Sequence, residues 1–356
     1  MKEAIVAKGP KVSIHDVPIP KPNADQVLIK VIYSGSNPKD WKVPEIRDPH
    51  NSGDDIAGII EAVGENVTEF KKGDRVAAFH EMMTPNGSFA EYAIAWNHTT
   101  FHLPKNTSFE EVGGHLYQSM TSAIGMYLRL GLPAPWAAAT TPIPLIVYGA
   151  SGAVLIPRKG AYAVKLARAS NIHPIIAVAG KAQSFVESLI DRSKGDTIVD
   201  YRKGDDAVVS GIKDALKEAG ANEVRYAFDA ISEHNSFINI SQVLAKQGSK
   251  ITLVLPWGDY SAIPDYIKQE QTMVGCVHMD IEAESSEGKA GIKTGAKEFG
   301  YVFFRLFSRG LQEGWLTPHP YEVVPGGLNG LETALSNLKN GAVSATKYVF
   351  KIEDTK

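Results

Sequence analysis

A single cysteine, Cys276, excludes an internal disulfide and any zinc site built on several thiolates. No apolar run approaches the roughly 20 residues of a membrane span. The start, Met1-Lys2-Glu3-Ala4-Ile5-Val6, is charged too early for a secretory signal. An excess of charge of one sign is also lacking. The formal net charge of -3 offers no electrostatic pull toward nucleic acid or an anionic membrane. Internal repeats and low-complexity segments are absent too. What is left, at 44% hydrophobic and 22% charged residues, is the composition of a soluble globular protein, expected in the cytoplasm. At 356 residues the chain is long for one core, so two domains are expected.

The pattern along the chain changes near residue 117. Before it, short strand-like runs such as 26–32 and 56–63 alternate with prolines and glycines, which suits a β-rich, barrel-like domain. After it, strand-like runs at 144–149, 174–179, 196–201, 224–230, 249–255 and 272–278 alternate with amphipathic stretches such as 205–219. That alternation predicts parallel βαβ units and a doubly wound sheet. Residues 290–313 read as one long helix with Phe299, Val302, Phe303 and Leu306 on one face. Residues 321–351 return to short strands around a helix.

The first of the six units ends in a glycine turn. A dinucleotide turn uses one glycine for the bend, a second for close approach of pyrophosphate, and a third for packing the helix on the strand. Gly149 and Gly152 follow the strand Leu145-Ile146-Val147-Tyr148, and Gly160 takes the third role once residues 155–159 are set aside. Pro157 cannot continue a helix begun at Ala153, so these five residues are expected to bulge, with the helix starting near Gly160. Arg158 and Lys159 then stand by as loop cations. Pyrophosphate contacts are expected from Gly149, Ala150, Ser151, Gly152, Ala153, Val154 and Gly160. The second strand ends in Gly180-Lys181-Ala182 without the carboxylate that binds an NAD ribose, and Lys181 is suited to a 2′-phosphate. Tyr201-Arg202, after the third strand, would flank the adenine end. NADPH is therefore the expected cofactor.

At this point the chain resembles the medium-chain dehydrogenase/reductase superfamily. The resemblance rests on Asn37-Pro38-Lys39-Asp40, Gly53-Asp54-Asp55-Ile56-Ala57-Gly58, and Val63-Gly64-Glu65-Asn66-Val67 followed by Lys72-Gly73-Asp74-Arg75-Val76. It continues through Gly87-Ser88-Phe89-Ala90-Glu91-Tyr92, Gly326-Gly327-Leu328 and Ser344-Ala345-Thr346-Lys347-Tyr348-Val349. Residues 196–202 and 225–231 carry a closer likeness to the zinc-independent quinone oxidoreductases and the fungal trans-acting enoyl reductases. The resemblance implies an α/β fold: a GroES-like β-barrel catalytic domain, residues 1–116 and 283–356, around a Rossmann NADPH-binding domain, residues 117–282, with a doubly wound parallel sheet. It adds cofactor contacts at Gly180, Lys181, Tyr201, Leu255, Ser344 and Lys347, and it places Thr121 beside the nicotinamide.

Residue types bear on zinc. Where zinc-dependent members place a first cysteine stands Ser36-Asn37, and where they place a His-Glu pair stands Asp54-Asp55. His80, His98, His102 and His115 lack ligand spacing, so no metal is expected. Without a Lewis acid, reduction of an activated C=C is feasible, because the enolate needs only hydrogen-bond donors. Asn37 and Lys42 are the candidate donors. Many relatives carry a tyrosine where Lys42 falls, so Lys42 either donates a proton or binds substrate or cofactor and leaves protonation to water. The expected acceptors are enoyl thioesters, enones or quinones, with a polyketide synthase as the partner that could deliver an acyl chain, and a monomer or homodimer as the assembly. An NADPH-binding protein without turnover is the alternative.

Overall fold

The structure, a computed structural model, describes residues 1–113, 116–151, 159–255, 257–279, 296–342 and 346–356. Along the chain run β1 (Lys2–Ala7), β2 (Lys11–Asp16), β3 (Gln26–Gly35), β4 (Asp55–Val63), β5 (Arg75–Phe79), β6 (Tyr92–Trp96) and β7 (Thr100–His102). Then follow β8 (Leu145–Tyr148), β9 (Ile175–Ala179), β10 (Thr197–Asp200), β11 (Tyr226–Asp229), β12 (Ser249–Leu253) and β13 (Ile267–Gln271), and the chain closes with β14 (Tyr321–Val324) and β15 (Lys347–Lys351).

Two compact units share these strands. The first holds Met1–Tyr117 together with the described parts of Gly275–Ala283 and Thr294–Lys356; the second is centred on Gln118–Val274.

In the first unit β3 is the axis. One edge pairs antiparallel with β4, and the other is divided between β6, at residues 26–30, and β15, at residues 33–35. The sheet runs β14-β15-β3-β4-β5-β7 with β6 off the path, so the end of the chain is built into the sheet begun at its start. Alternate residues Val27, Ile29 and Val31 of β3 point into a core with Ile56, Ile60, Phe89 and Phe350, as period-2 side-chain alternation requires. The helix Lys297–Glu313 buries Gly300, Phe303, Phe304 and Phe307. The face is rotated from the expected one, since Val302 is exposed while Phe304 stacks on Phe101.

The second unit is a six-stranded sheet in the order β10-β9-β8-β11-β12-β13, with every pair parallel. Order reverses between β8 and β11, the switch point at which doubly wound sheets bind ligands. All five residues of β9 are buried, as expected of a strand covered on both faces. The helix Asp205–Glu218 packs on the sheet through Val208, Ile212, Ala215 and Leu216, a helical spacing of apolar positions.

One strand expectation is corrected. The sixth strand is Ile267–Gln271, whereas 274–278 of the apolar run 272–278 is a 3-10 turn, Val274–His278. The strand was hidden because Ile267-Lys268-Gln269-Glu270-Gln271 is an edge whose outer residues are polar. The apolar run behind it is buried by packing instead. Residues 275–279 also group with the first unit, although the expected boundary carried the Rossmann domain to residue 282. There His98 Nε2 donates to the Val277 carbonyl at 3.0 Å, and the His278 ring lies 5.0 Å from that of Phe79. No helix among the described residues is long and apolar enough to cross a membrane.

Candidate active site

The glycine turn of the second unit grows out of β8. Gly149 takes φ +83°, a left-handed conformation open to glycine, and its amide and that of Ala150 both donate to the Val178 carbonyl at 3.0 Å. The turn is thereby tied to the end of β9. The next helix is described over Lys159–Ala169. A Cβ on Gly160 would press on the Gly149 carbonyl and come within 2.9 Å of Ala150 Cα, so the helix can seat on the strand only with glycine here. Two of the three glycine roles are therefore visible. Gly152, Ala153 and Val154, with 155–158, lie outside the described residues.

Ser151, Gly180 and Tyr201 are linked to this turn, and further expected residues lie elsewhere in the same unit. Ser151, which is buried, accepts from the Gly180 amide at 3.3 Å. Gly180 in turn lies against the Tyr201 ring, where an added Cβ would stand 2.5 Å from the ring edge. Lys181, the next residue, is exposed. Arg202 is different: its guanidinium forks onto Asp200, Nε to Oδ1 at 2.9 Å and Nη2 to Oδ2 at 2.6 Å, and this pairing holds the Asp200 carboxyl down to about 2. Thr121 is buried in the helix Leu116–Ala123, where neighbouring Ser122 donates to the Lys159 carbonyl at 2.6 Å. The Leu255 carbonyl accepts from the Tyr260 hydroxyl at 2.6 Å.

Asp229, at the end of β11, was not anticipated from sequence. Its Oδ1 accepts the amides of Ile231 and Ser232, both at 2.9 Å, and its Oδ2 accepts the Ser236 hydroxyl at 2.6 Å. Burial pushes this carboxyl up to about 6. The loop it shapes carries Ile231, whose side chain fills the space beside Gly149. Turn and loop thus flank the two sides of the switch point.

The first unit holds a buried network of ions. Lys347 Nζ donates to Asn37 Oδ1 at 2.8 Å and to Asp55 Oδ2 at 3.1 Å, and Asn37 Nδ2 donates to the same Asp55 oxygen at 3.0 Å. Asp55 Oδ1 accepts the Tyr117 amide at 2.9 Å. The Asn37 amide donates to Asp40 Oδ2 at 2.6 Å, and Lys39 Nζ stands 3.0 Å from Asp40 Oδ1 and 2.5 Å from Asp54 Oδ2. Lys39 also donates to the Ser52 carbonyl. Burial, opposed by Lys39 and reinforced by Asp54, pushes the Asp40 carboxyl up to about 7, and Asp54 is raised for the same first reason. Burial alone would lower the Lys39 ammonium, but Asp40 and Asp54 outweigh it and hold it above its usual value. Two carboxylates sharing one ammonium retain a proton to unusually high pH.

Of the expected residues here, Asn37 sits at the centre of this network and Lys347 at its edge, with 4% of its surface exposed. Ser344 lies outside the described residues. Lys42, at the end of the one-turn helix Lys39–Lys42, is half-buried with Nζ 5.6 Å from the centre of the Trp41 ring. Sequence reading missed Lys39, Asp40, Asp54 and Asp55 as a unit. The signal was present as two short charged runs, Lys39-Asp40 and Asp54-Asp55, but nothing in the sequence pairs them. Among the described residues no group of three His, Cys, Asp or Glu is arranged to hold a metal ion. His80 and His98 are buried, His102 is exposed, and His115 lies outside the described residues.

A Rossmann sheet with a glycine turn at its switch point, together in one chain with a unit whose sheet joins the two chain ends, defines a medium-chain dehydrogenase/reductase. The alcohol dehydrogenase GroES-like domain matches residues 23–105. The quinone oxidoreductase from Coxiella burnetii superposes with a TM-score of 0.69 at 18% identity, covering 99% of each chain. CurK enoyl reductase does so with a TM-score of 0.71 at 15% identity, covering 98% of each. In sequence, the trans-enoyl reductase fsr4 of Gibberella fujikuroi is 48% identical over 335 residues, 93% of this chain and 92% of that one. The chain belongs to the fungal trans-enoyl reductases, a branch of nicotinamide-dependent oxidoreductases within the superfamily.

Proposed function

We propose that the chain is an NADPH-dependent, zinc-independent reductase of activated C=C bonds in enoyl thioesters, enones or quinones. One observation carries the reading: the 48% identity to a trans-enoyl reductase extends over 93% of the chain and so takes in both units. The glycine turn supports a dinucleotide, because Gly149 and Gly160 clear the space that a cradle of backbone amides needs.

In this reading Gly149, Ala150, Ser151, Gly152, Ala153, Val154 and Gly160 hold the pyrophosphate. Gly180 and Tyr201 border the adenine end, Lys181 meets the 2′-phosphate, and Leu255, Thr121 and Ser344 line the rest of the cofactor. The nicotinamide, when bound, supplies a hydride for the β-carbon of the acceptor. Asn37 and Lys42 donate hydrogen bonds to the developing enolate oxygen, and Lys42 or water protonates the α-carbon. Lys347 serves this site through Asn37, whose amide oxygen it holds. The zinc-independent part rests on donor chemistry. Asp54 and Asp55, the carboxylates at the zinc-ligand positions, are each already ion-paired with a lysine. In this reading the first unit is the catalytic domain, and the unit centred on Gln118–Val274 is the cofactor domain. The setting is cytoplasmic, and a polyketide synthase supplies the acyl chain.

The test follows NADPH absorbance against a panel of enoyl thioesters, enones and quinones, with NADH and a metal chelator as controls. Turnover with NADPH, slower with NADH and indifferent to chelation, is expected. Tight NADPH binding without turnover on any acceptor would favour a binding protein, and equal use of NADH would overturn the cofactor assignment.

A further inference from the structure

The turn that carries Lys42 cannot stand by itself. The helix Lys39–Lys42 is four residues long and starts at Pro38, which offers no side-chain cap. A single turn fixes several dihedrals for one hydrogen bond and is unstable unless something outside it holds it. Lys347 of β15 holds Asn37, and the other polar anchors converge on one neighbouring segment, 52–55. Lys39 Nζ reaches the Ser52 carbonyl and Asp54 Oδ2, the Ser52 hydroxyl donates to the Asp40 carbonyl at 3.0 Å, and Asn37 Nδ2 donates to Asp55. The side chains of Asp40 and Asp54 are 0% and 1% exposed and that of Lys39 is 12% exposed, so water does not replace these bonds.

We propose that Lys39, clamped between Asp40 and Asp54, is the positioning residue of the candidate site: it locks the 37–42 turn onto the 52–55 segment and ties that lock to a proton shared by the two carboxylates. The inference rests on the reductase reading, because the turn matters through Asn37 and Lys42. The charge count supplies the coupling. With one carboxyl protonated the triad is neutral. With both ionised it carries an unbalanced negative charge out of water, which a buried site resists strongly. The titratable and charged groups facing the triad from elsewhere are Asp55, His80 and Tyr117. Asp55 is balanced by Lys347, so the excess charge stays on Asp40 and Asp54. The raised carboxyl of Asp40, at about 7, puts the change near neutral pH. The lock therefore holds below neutrality and weakens above it.

The test uses the holoenzyme with NADPH and a short trans-2-enoyl N-acetylcysteamine thioester. Lys39→Met, with Lys42 intact, is expected to lower kcat/KM at least tenfold, and adding Asp54→Asn should recover at least threefold of that loss. The wild-type kcat/KM should fall as pH rises from 6 to 8.5, and Asp54→Asn should flatten that limb, whatever its plateau. A purely structural role would shift the melting temperature without changing the shape of the pH profile. An Asp54→Asn profile superimposable on wild type, or a Lys39→Met effect below threefold, overturns the proposal. If Lys39→Met does not fold, the Asp54→Asn profile decides. If the wild type reduces no acceptor, the reductase reading fails instead. Hydrogen exchange of amides 39–46, corrected for intrinsic rate, then reads the lock directly. Protection lost between pH 6 and 8.5 sustains it, and unchanged protection overturns it.

Discussion

Both units bury carboxylates, and they satisfy them in opposite ways. In the second unit Asp196 accepts the amides of Ile175 and Asp191 at 2.7 and 2.8 Å, with His173 at 2.8 Å, and Asp229 accepts two amides and a hydroxyl from the seven residues after it. These donors are largely backbone, and most lie nearby in the chain. In the first unit Asp40, Asp54 and Asp55 depend on ammonium groups, and the Lys347 that holds Asp55 lies 292 residues away in sequence. A carboxylate held by its own turn keeps its partners whenever that turn forms. An ion pair between chain ends exists only when the whole unit is assembled, and each partner left alone is an uncompensated charge.

The largest effect expected from this difference is at Lys347. Lys347→Met strands Asp55 and the Asn37 amide oxygen, and should destabilise the first unit by about 3–5 kcal/mol, the range for breaking a buried pair from one side. Asp229→Asn in the second unit removes an acceptor but no counter-ion, and should cost about 1–3 kcal/mol. Urea unfolding of the two variants, followed by probes within each unit, checks the ranking. An Asp229→Asn penalty larger than that of Lys347→Met would break the comparison. The Lys347 result also separates its two readings, since a residue that touched the cofactor directly would lower NADPH affinity without so large a loss of stability.

The intermediate effect belongs to pH and to a histidine of the first unit. Burial, with the His98 and His80 rings nearby, drives His278 well below its usual value, and the His80 backbone offsets this only in part. The folded state therefore binds fewer protons than the unfolded one below about pH 6.5. The stability contributed by keeping this ring neutral is full above that pH and is lost as pH falls through it. The loss grows as pH falls further below that value. Asp40 pulls the other way, because a raised carboxyl favours the folded state as pH drops from 7. The difference between wild type and His278→Phe is thus the clean measure, since Asp40 is common to both. The variant should gain stability on wild type between pH 7 and 5, and a constant difference would mean that His278 is already able to charge in the fold.

The same division explains what could be read from the sequence. The second unit was legible because its rules are local. Strand periods and the glycine at the end of β8 lie within a few residues of the feature they specify. Where an edge strand broke the apolar pattern, at Ile267–Gln271, the reading slipped to the buried run behind it. In the first unit the resemblance pointed to Asn37, Lys42 and Lys347 as separate residues. Their connection through Asp55 was not legible, because pairing charges across hundreds of residues needs the sheet that joins β15 to β3. The rotated face of Lys297–Glu313 has a similar origin: Phe299, Val302, Phe303 and Leu306 are spaced as well as Gly300, Phe303, Phe304 and Phe307, and only Phe101 and its neighbours decide between them.

The smallest effect is expected at Arg202, and it sharpens the comparison from the other side. This guanidinium is as well paired as Lys347, in a two-pronged contact with Asp200, but its side chain is 49% exposed. Water solvates both partners when the pair breaks, and exposed pairs contribute little to stability. Arg202→Ala should therefore leave the urea midpoint unchanged within error. It should also leave NADPH affinity within threefold, because a fork already closed on Asp200 is a poor candidate for a second anion. Lys181 is exposed directly after Gly180, and the Gly180 amide is bonded to the glycine turn. Lys181→Ala should weaken NADPH by about 1–3 kcal/mol, the range for charge-assisted hydrogen bonds, while hardly touching NADH. Fluorescence titration of both cofactors against the two variants separates these cases. A large NADPH loss in Arg202→Ala with none in Lys181→Ala would show that the Asp200 fork opens to take the 2′-phosphate, and would move the charge that selects NADPH from the end of β9 to the end of β10.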